Sequence, residues 1–228
     1  MKIQRLSLMD GLKKARGTTI VIDVFRAFTC EPLMYYYGAG RIVLEQDIDT
    51  CKRMKGDTVL VGEHNEVPIE SFDLTNSPWL ITKRGRTLFE KKTVVHRTTS
   101  GVTGAVTAMK HSDEVLLASF VNARATVRYI NEHKPDIVSI VAMGIRSVAP
   151  APEDEYCGDY LESMLTGKSY DHVHAVADIL AHETAQKFIR GDKPYLPKED
   201  PAMCLQRDIF DYALKAEWEN GAIVATRV

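Results

Sequence analysis

Between residues 20 and 142 the chain alternates short β-branched or aliphatic runs with stretches of helical character. The runs are Ile20–Asp23, Arg41–Leu44, Thr58–Val61, Thr93–His96, Val115–Ser119 and Ile137–Ala142, and Phe28–Tyr37, Ile48–Met54, Val102–Lys110 and Ala123–His133 read as helices between them. This alternation constrains the fold more than any other feature. Strands separated by helices bury their apolar residues by pairing in a sheet that the helices cover. The expectation is an α/β fold with a mixed, largely parallel sheet covered by helices. No internal repeat or low-complexity linker divides the chain, so residues 1–228 are expected to form a single domain. With 45% hydrophobic residues there is ample material for its core.

After Ala142 the rhythm changes, and a helical C-terminal part is expected. Gly144–Pro152 reads as a loop, and Glu153–Leu165 and Asp171–Arg190 read as helices, the second stopped by Gly191 and Pro194. Pro194–Pro201 reads as a loop, Cys204–Trp218 as a helix and Ala222–Thr226 as a final strand.

A net charge of -2 argues against a nucleic-acid partner held by phosphate contacts. No stretch approaches the roughly 20 apolar residues of a membrane span, and the first residues lack the apolar segment of a secretory signal. Cys30, Cys51, Cys157 and Cys204 are dispersed and form no Cys-x-x-Cys pair, which suggests reduced thiols and a cytoplasmic location. A homo-oligomer is left open.

Ligands of open α/β sheets bind at the carboxyl ends of strands, so strand ends are where chemistry is sought. Asp23 ends the first apolar run and Arg26 follows three residues later. The acid can hold a hard cation and the guanidinium an anion, while an internal ion pair is the purely structural alternative. Glu63 ends the run Thr58–Val61 in the same way. In Ser71–Pro78, Asp73 is a candidate ligand, Asn76 and Ser77 are cap or contact residues, and Pro78 suits a first helical position. Arg97–Ala105 runs from strand through a hydroxyl- and glycine-rich turn into a helix, where free N–H groups favour an anion. It lacks the Gly-Lys-Ser/Thr of a Walker loop. Asn122 and Arg124 follow another strand end, and Glu153 and Asp154 open a helix where acids suit the dipole or magnesium. His174, Asp178 and His182 share one face of the expected Asp171–Arg190 helix, a spacing compatible with a transition metal but also with an ordinary solvated face.

Taken in order, these segments resemble the 2-phosphosulfolactate phosphatase family. Ile22–Thr29 is similar to its I-D-V-L-R-A-T-T, and Gly62-Glu63 with Phe72–Pro78 to its G-E and F-D-L-G-N-S-P. Thr98–Gly101 resembles T-T-N-G, Ser119–Ala123 resembles S-F-L-N-A, and Glu153-Asp154 resembles E-D. The likeness runs from about Ile20 to Leu165, with a weaker echo at Arg207–Ile209. It implies a magnesium-dependent phosphatase, whose type member acts on a sulfonated phosphate ester in coenzyme M biosynthesis. Carried over by position, Asp23, Arg26, Glu63 and Asp73 become catalytic candidates. Asn76, Ser77, Thr98, Thr99, Ser100, Gly101, Asn122 and Arg124 become substrate-binding candidates. Asp23, Glu63, Asp73, Glu153 and Asp154 become candidate ligands of Mg2+, and the partner expected is a small anionic phosphate monoester.

The chain departs from the family's T-T-N-G-T-R, with Ser100 replacing Asn and Val102 and Thr103 standing where the family has Thr and Arg. Thr75 replaces a Gly. Loss of one charge-assisted contact is worth roughly 1.5–3 kcal/mol, and Arg97 or Arg124 stands near enough in sequence to replace it. The competing expectation is a non-hydrolytic small-anion binding protein that kept this fold with an altered pocket.

Overall fold

All six apolar runs become strands of one mixed sheet in a computed structural model describing residues 1–228. The strands are β1 (Lys2–Ser7), β2 (Thr18–Ile22), β3 (Arg41–Leu44), β4 (Thr58–His64), β5 (Val67–Pro68), β6 (Thr93–Arg97), β7 (Glu114–Ala118), β8 (Ile137–Ala142), β9 (Leu214–Glu219) and β10 (Ala222–Arg227). The helices are α1 (Leu8–Leu12), α2 (Ala27–Tyr36), α3 (Ile48–Arg53), α4 (Pro78–Phe89), α5 (Gly101–Ala108), α6 (Ala123–His133), α7 (Pro152–Thr166), α8 (His172–Ala181), α9 (Glu183–Ile189) and α10 (Asp200–Cys204). No helix is long and apolar enough to cross a membrane.

The sheet order is β1-β8-β2-β7-β9-β10-β3-β6-β4-β5. β1, β8, β2 and β7 form one parallel group, and β3, β6 and β4 form another. The antiparallel hairpin β9–β10 joins them, pairing with β7 on one side and β3 on the other. Every residue of β2 is buried, as a strand covered on both faces requires. Through this hairpin the two groups run in opposite senses along the sheet. From β2 to β4 there are six steps, and at roughly 20–25° of twist per step the accumulated turn is about 120–150°. That rotation accounts for the carboxyl ends of β2, β8, β4 and β6 meeting on one cleft.

The largest apolar core lies inside the curl. Phe28 and Met34 of α2 and Val102 and Ala105 of α5 pack there between Val21 and Leu117 of one group and Val59, Val61 and Val94 of the other. On the outer face of β2, β7 and β8, Ile20, Leu116 and Ile140 lie under Ile130, Leu161 and Ile179 of α6, α7 and α8. A smaller cluster sets Cys51 of α3 against Val43, Leu60, Val95 and Val224.

The helix expected over Cys204–Trp218 is corrected. The helix closes at Cys204, and Leu214–Glu219 is a strand hydrogen-bonded on both sides. Leu-Lys-Ala-Glu-Trp-Glu contains good helix formers, but its alternating burial fits the sheet, and tertiary pairing overrides propensity. The single helix expected over Asp171–Arg190 is two, because His182 adopts an extended conformation and caps α9 with its own side chain. His182 therefore leaves the helical face of His174 and Asp178, which form an exposed pair at 3.3 Å. β1 and most of α4 lie outside the expected elements. β1 is a half-buried edge strand with no continuous apolar run.

Candidate active site

Strand ends supply the acids of the cleft. Asp23 follows β2 directly, and its carboxylate accepts a hydrogen bond from Ala27 N–H at 3.1 Å where α2 begins. The backbone of Gly101 approaches from α5 so closely that a Cβ there would lie 2.7 Å from Asp23 Oδ2 and 2.6 Å from Ala27 Cβ. Burial pushes the Asp23 carboxyl up to about 6, with the Ala27 and Gly101 amides opposing and the charge of Glu63 reinforcing the rise.

Two neighbouring acids at the start of α7 have different tasks. Asp154 clamps two strand ends, accepting from Val24 N–H at 2.7 Å and Gly144 N–H at 2.8 Å. Burial, with Asp23 and Glu153 close by, pushes its carboxyl well above the usual range. Glu153 accepts from the Thr184 hydroxyl at 2.8 Å and otherwise faces the cleft. Burial raises it to about 7, with Asp23 adding to the effect and Thr184 and Lys187 countering it.

Glu63, at the end of β4, is fixed by the turn after β6. It accepts from Thr99 N–H at 2.6 Å and from the Thr99 hydroxyl at 3.1 Å, and also from Glu66 N–H. The Thr98 hydroxyl takes the Val102 N–H at 2.9 Å, and Ser100 Oγ donates to the Gly144 carbonyl at 3.2 Å. The amides at Thr99 and Gly101, expected to cradle a bound anion, thus serve Glu63 and Asp23. The turn thereby fixes two carboxylates of the cleft that it also lines.

Positive charge reaches the cleft from Arg26, Arg146 and Lys187. Arg26 is buried, with Nη1 2.8 Å from Asp200 Oδ2 and 3.2 Å from the Tyr195 carbonyl, and its guanidinium lies 5.2 Å from the centre of the Phe188 ring. Its partner is therefore Asp200 of α10 and not Asp23. Arg146 follows β8, and Lys187 projects from α9. Both pair with Glu66, Arg146 at 3.3 Å. Burial would raise the Glu66 carboxyl, but Lys187 and Arg146 outweigh it and hold it below the ordinary value.

Asn76 lines the same cleft and ends a buried chain of polar groups. His96 on β6 lies 2.8 Å by Nδ1 from Glu31 Oε1 of α2, and 3.1 Å by Nε2 from Asn76 Oδ1. In the tautomer that carries the proton on Nε2, His96 donates to Asn76 Oδ1 and the amide NH2 is left for a ligand. Burial raises the Glu31 carboxyl, with His96 opposing.

Of the residues singled out in the sequence, Asp23, Arg26, Glu63, Asn76, Thr98, Thr99, Ser100, Glu153 and Asp154 line this cleft, with Gly101 directly behind Asp23. Four others sit elsewhere. Asp73 pairs with Lys55 and accepts from Leu60 N–H at 2.8 Å, tying an edge of β4 to the end of α3. Arg124 is exposed and pairs with Asp208 at 3.0 Å. Asn122 is buried in a capping box with Ser119. Ser77 caps α4 and donates to Asp200 at 2.8 Å. Arg97 is also taken, by the carbonyls of Gln46 and Glu63. The cleft residues outside the sequence selection include Glu66, Arg146, Thr184, Lys187 and Phe188. Arg146 sits just past a strand end, so the rule that found Asp23 also points to it. Nothing local marks Lys187, because α9 reaches the cleft by tertiary packing.

No group of three or more His, Cys, Asp or Glu side chains is gathered closely enough to hold a metal ion unaided. The donor set nevertheless suits magnesium, which takes one or two carboxylates and fills its remaining positions with water and phosphate oxygens. Asp23 and Glu153 are hard oxygen donors whose charges repel one another, a repulsion that a cation relieves.

The model of the 2-phosphosulpholactate phosphatase family matches residues 6–217. A protein of Bacillus subtilis named probable 2-phosphosulfolactate phosphatase is 29% identical over 215 residues, covering 92% of this chain and 91% of its own. A protein of the same name from Thermoplasma volcanium is 29% identical over 224 residues, covering 96% and 98%. One from Clostridium botulinum is 33% identical over 168 residues, covering 71% and 68%. A match that runs from the end of β1 into β9 takes in β2 to β8 and the cleft residues, leaving out only the start of β1 and the end of the joining hairpin, and the chain belongs to the 2-phosphosulpholactate phosphatase family.

Proposed function

We propose that the cleft hydrolyses a small anionic phosphate monoester with the help of magnesium, the substrate being 2-phosphosulfolactate or a compound like it. The observation that carries this reading is the meeting of buried Asp23 and Glu153 with Arg26, Arg146 and Lys187 in one cleft. Acids to hold a cation beside bases to hold an anion are the parts phosphoryl transfer needs. The names of the relatives support the substrate class.

Asp23 and Glu153 would hold the ion, with water completing its shell. Bound there, magnesium supplies charge neutralisation at the phosphoryl oxygens. Arg26 is kept rigid by Asp200 and Phe188, so it meets an anionic oxygen without first being ordered. The Asn76 NH2 donates to a second oxygen, and Glu31 and His96 hold the amide in that orientation. Glu63 and Asp154 spend their oxygens on backbone amides and keep the strand ends in register. Thr103 donates to the Thr98 carbonyl from α5, and the cations of the cleft come from other elements. The family Arg missing at that position therefore does not leave the cleft without positive charge.

The test is phosphate release from a panel of monoesters, including 2-phosphosulfolactate, with magnesium or with EDTA. Turnover that needs magnesium and falls at least about 100-fold in Asp23→Asn is expected. Failure of the folded protein to hydrolyse any ester would overturn the proposal. Stabilisation by phosphate without turnover would favour the non-hydrolytic anion-binding reading instead.

A further inference from the structure

We infer that Glu66 is an internal counter-ion that a ligand's oxyanion displaces, and that Arg146 and Lys187, freed by this exchange, become the residues that hold that oxyanion. The inference rests on the reading of the cleft as an anion site and adds residues and an exchange to it.

Glu66 stands at the tip of the β4–β5 hairpin with a φ of 72°, reaching across the cleft mouth to two other elements. One carboxylate oxygen meets Lys187 of α9, and the other meets Arg146 of the loop after β8. Three segments distant in sequence are thus pinned by one side chain, and all three residues line the cleft. Arg26 differs, because its partner Asp200 is wholly buried and makes two further hydrogen bonds, so that pair is permanent. Glu66, Arg146 and Lys187 keep about a third, a half and a fifth of their side-chain surface exposed, so both pairs are in reach of solvent and a competing ligand, unlike the buried Arg26–Asp200 pair.

The geometry also matches what a ligand would bring. A carboxylate shared between a guanidinium and an ammonium occupies the place of any planar or tetrahedral oxyanion of the same charge. Two kinds of ligand group have this chemistry, a phosphoryl group and a separate acidic group such as a sulfonate. Both would have to compete with Glu66 for the same cations. Removal of the Glu66 charge should therefore tighten anion binding, whereas a merely structural ion pair would weaken it or leave it unchanged.

The experiment is calorimetric titration of the intact chain, without magnesium, with inorganic phosphate and separately with ethanesulfonate. Glu66→Gln keeps the side-chain shape and is expected to bind one or both anions roughly three- to tenfold tighter than the unaltered protein. Tightening confined to phosphate assigns the cations to the phosphoryl group, and tightening confined to ethanesulfonate assigns them to a second acidic group. Lys187→Gln, with Glu66 intact, is expected to weaken binding of the same anion by a similar factor. If Glu66→Gln melts as the unaltered protein does yet binds both anions no tighter, the exchange is overturned. Unchanged affinity in Lys187→Gln overturns it independently, should the first variant fail to fold. Because binding is read without turnover, absence of hydrolysis would count against the phosphatase proposal and not against this one.

Discussion

Asp200 does not line the cleft, yet three groups around it converge on this one carboxylate. It accepts from Arg26 at 2.8 Å, Ser77 Oγ at 2.8 Å and Trp79 N–H at 3.0 Å, with no exposure to solvent. Asp200→Ala would leave the Arg26 guanidinium buried and without its carboxylate, which costs on the order of 3–5 kcal/mol. Urea denaturation should show a loss of that size. Gly101→Ala is a second residue-scale test, since its Cβ would press on Ala27 and Asp23. Overpacking of this kind costs about 1–3 kcal/mol, and the displaced carboxylate should lower turnover more than stability. Asp23 and Glu153 also set a pH dependence. Their ordinary values are 3.8 and 4.5, and the folded chain without metal raises them to about 6 and about 7. Between these values the folded state binds more protons than the unfolded one, so stability falls as pH rises from about 4 to about 7. Magnesium competes with those protons, so thermal melts should show a larger magnesium-induced gain at pH 8 than at pH 5. An equal gain at both would show that these carboxylates do not hold the ion. Much of this was legible in the sequence, because an acid at the end of a β-branched run has few other places to be. Asp200 was not, since its importance comes from Arg26, 174 positions away.

At the scale of elements, regular runs were readable and pairings were not. β2, β4, β6, β7 and β8 announce themselves by short runs of β-branched or aliphatic residues, which is how strands buried on both faces are written. β9 carries Lys, Glu and Ala, residues that favour helices in isolation, and only its two neighbours make it a strand. Asp73 shows the same limit, because a motif position says nothing about which side of a turn the carboxylate takes. Here it faces Lys55 and the Leu60 amide. Ala216 pairs with Val115 on one side and Ala225 on the other. Ala216→Pro removes an amide hydrogen from the middle of the sheet, where proline is scarcely found. The expected outcome is loss of a cooperative unfolding transition by circular dichroism. A sharp transition near that of the unaltered protein would mean that the hairpin contributes little to the sheet.

Across the whole molecule, the sequence conveys alternation but not the sense in which the two parallel groups are joined. Chemistry at the carboxyl ends of both β2 and β4 requires the sheet to turn through a large angle, and no local pattern encodes that turn. It is the sum of small strand twists, fixed by packing α2 and α5 inside the curl. The joining hairpin also has a consequence for biosynthesis. All eight strands flanking it are translated earlier, so a nascent chain that has reached β8 holds two separate ribbons whose inner borders, β7 and β3, have no neighbour. Bare borders of this sort recruit other chains. The interval before residues 214–227 emerge is therefore when aggregation threatens this protein most, and crowded translation or a slow codon in that interval would lengthen the exposure.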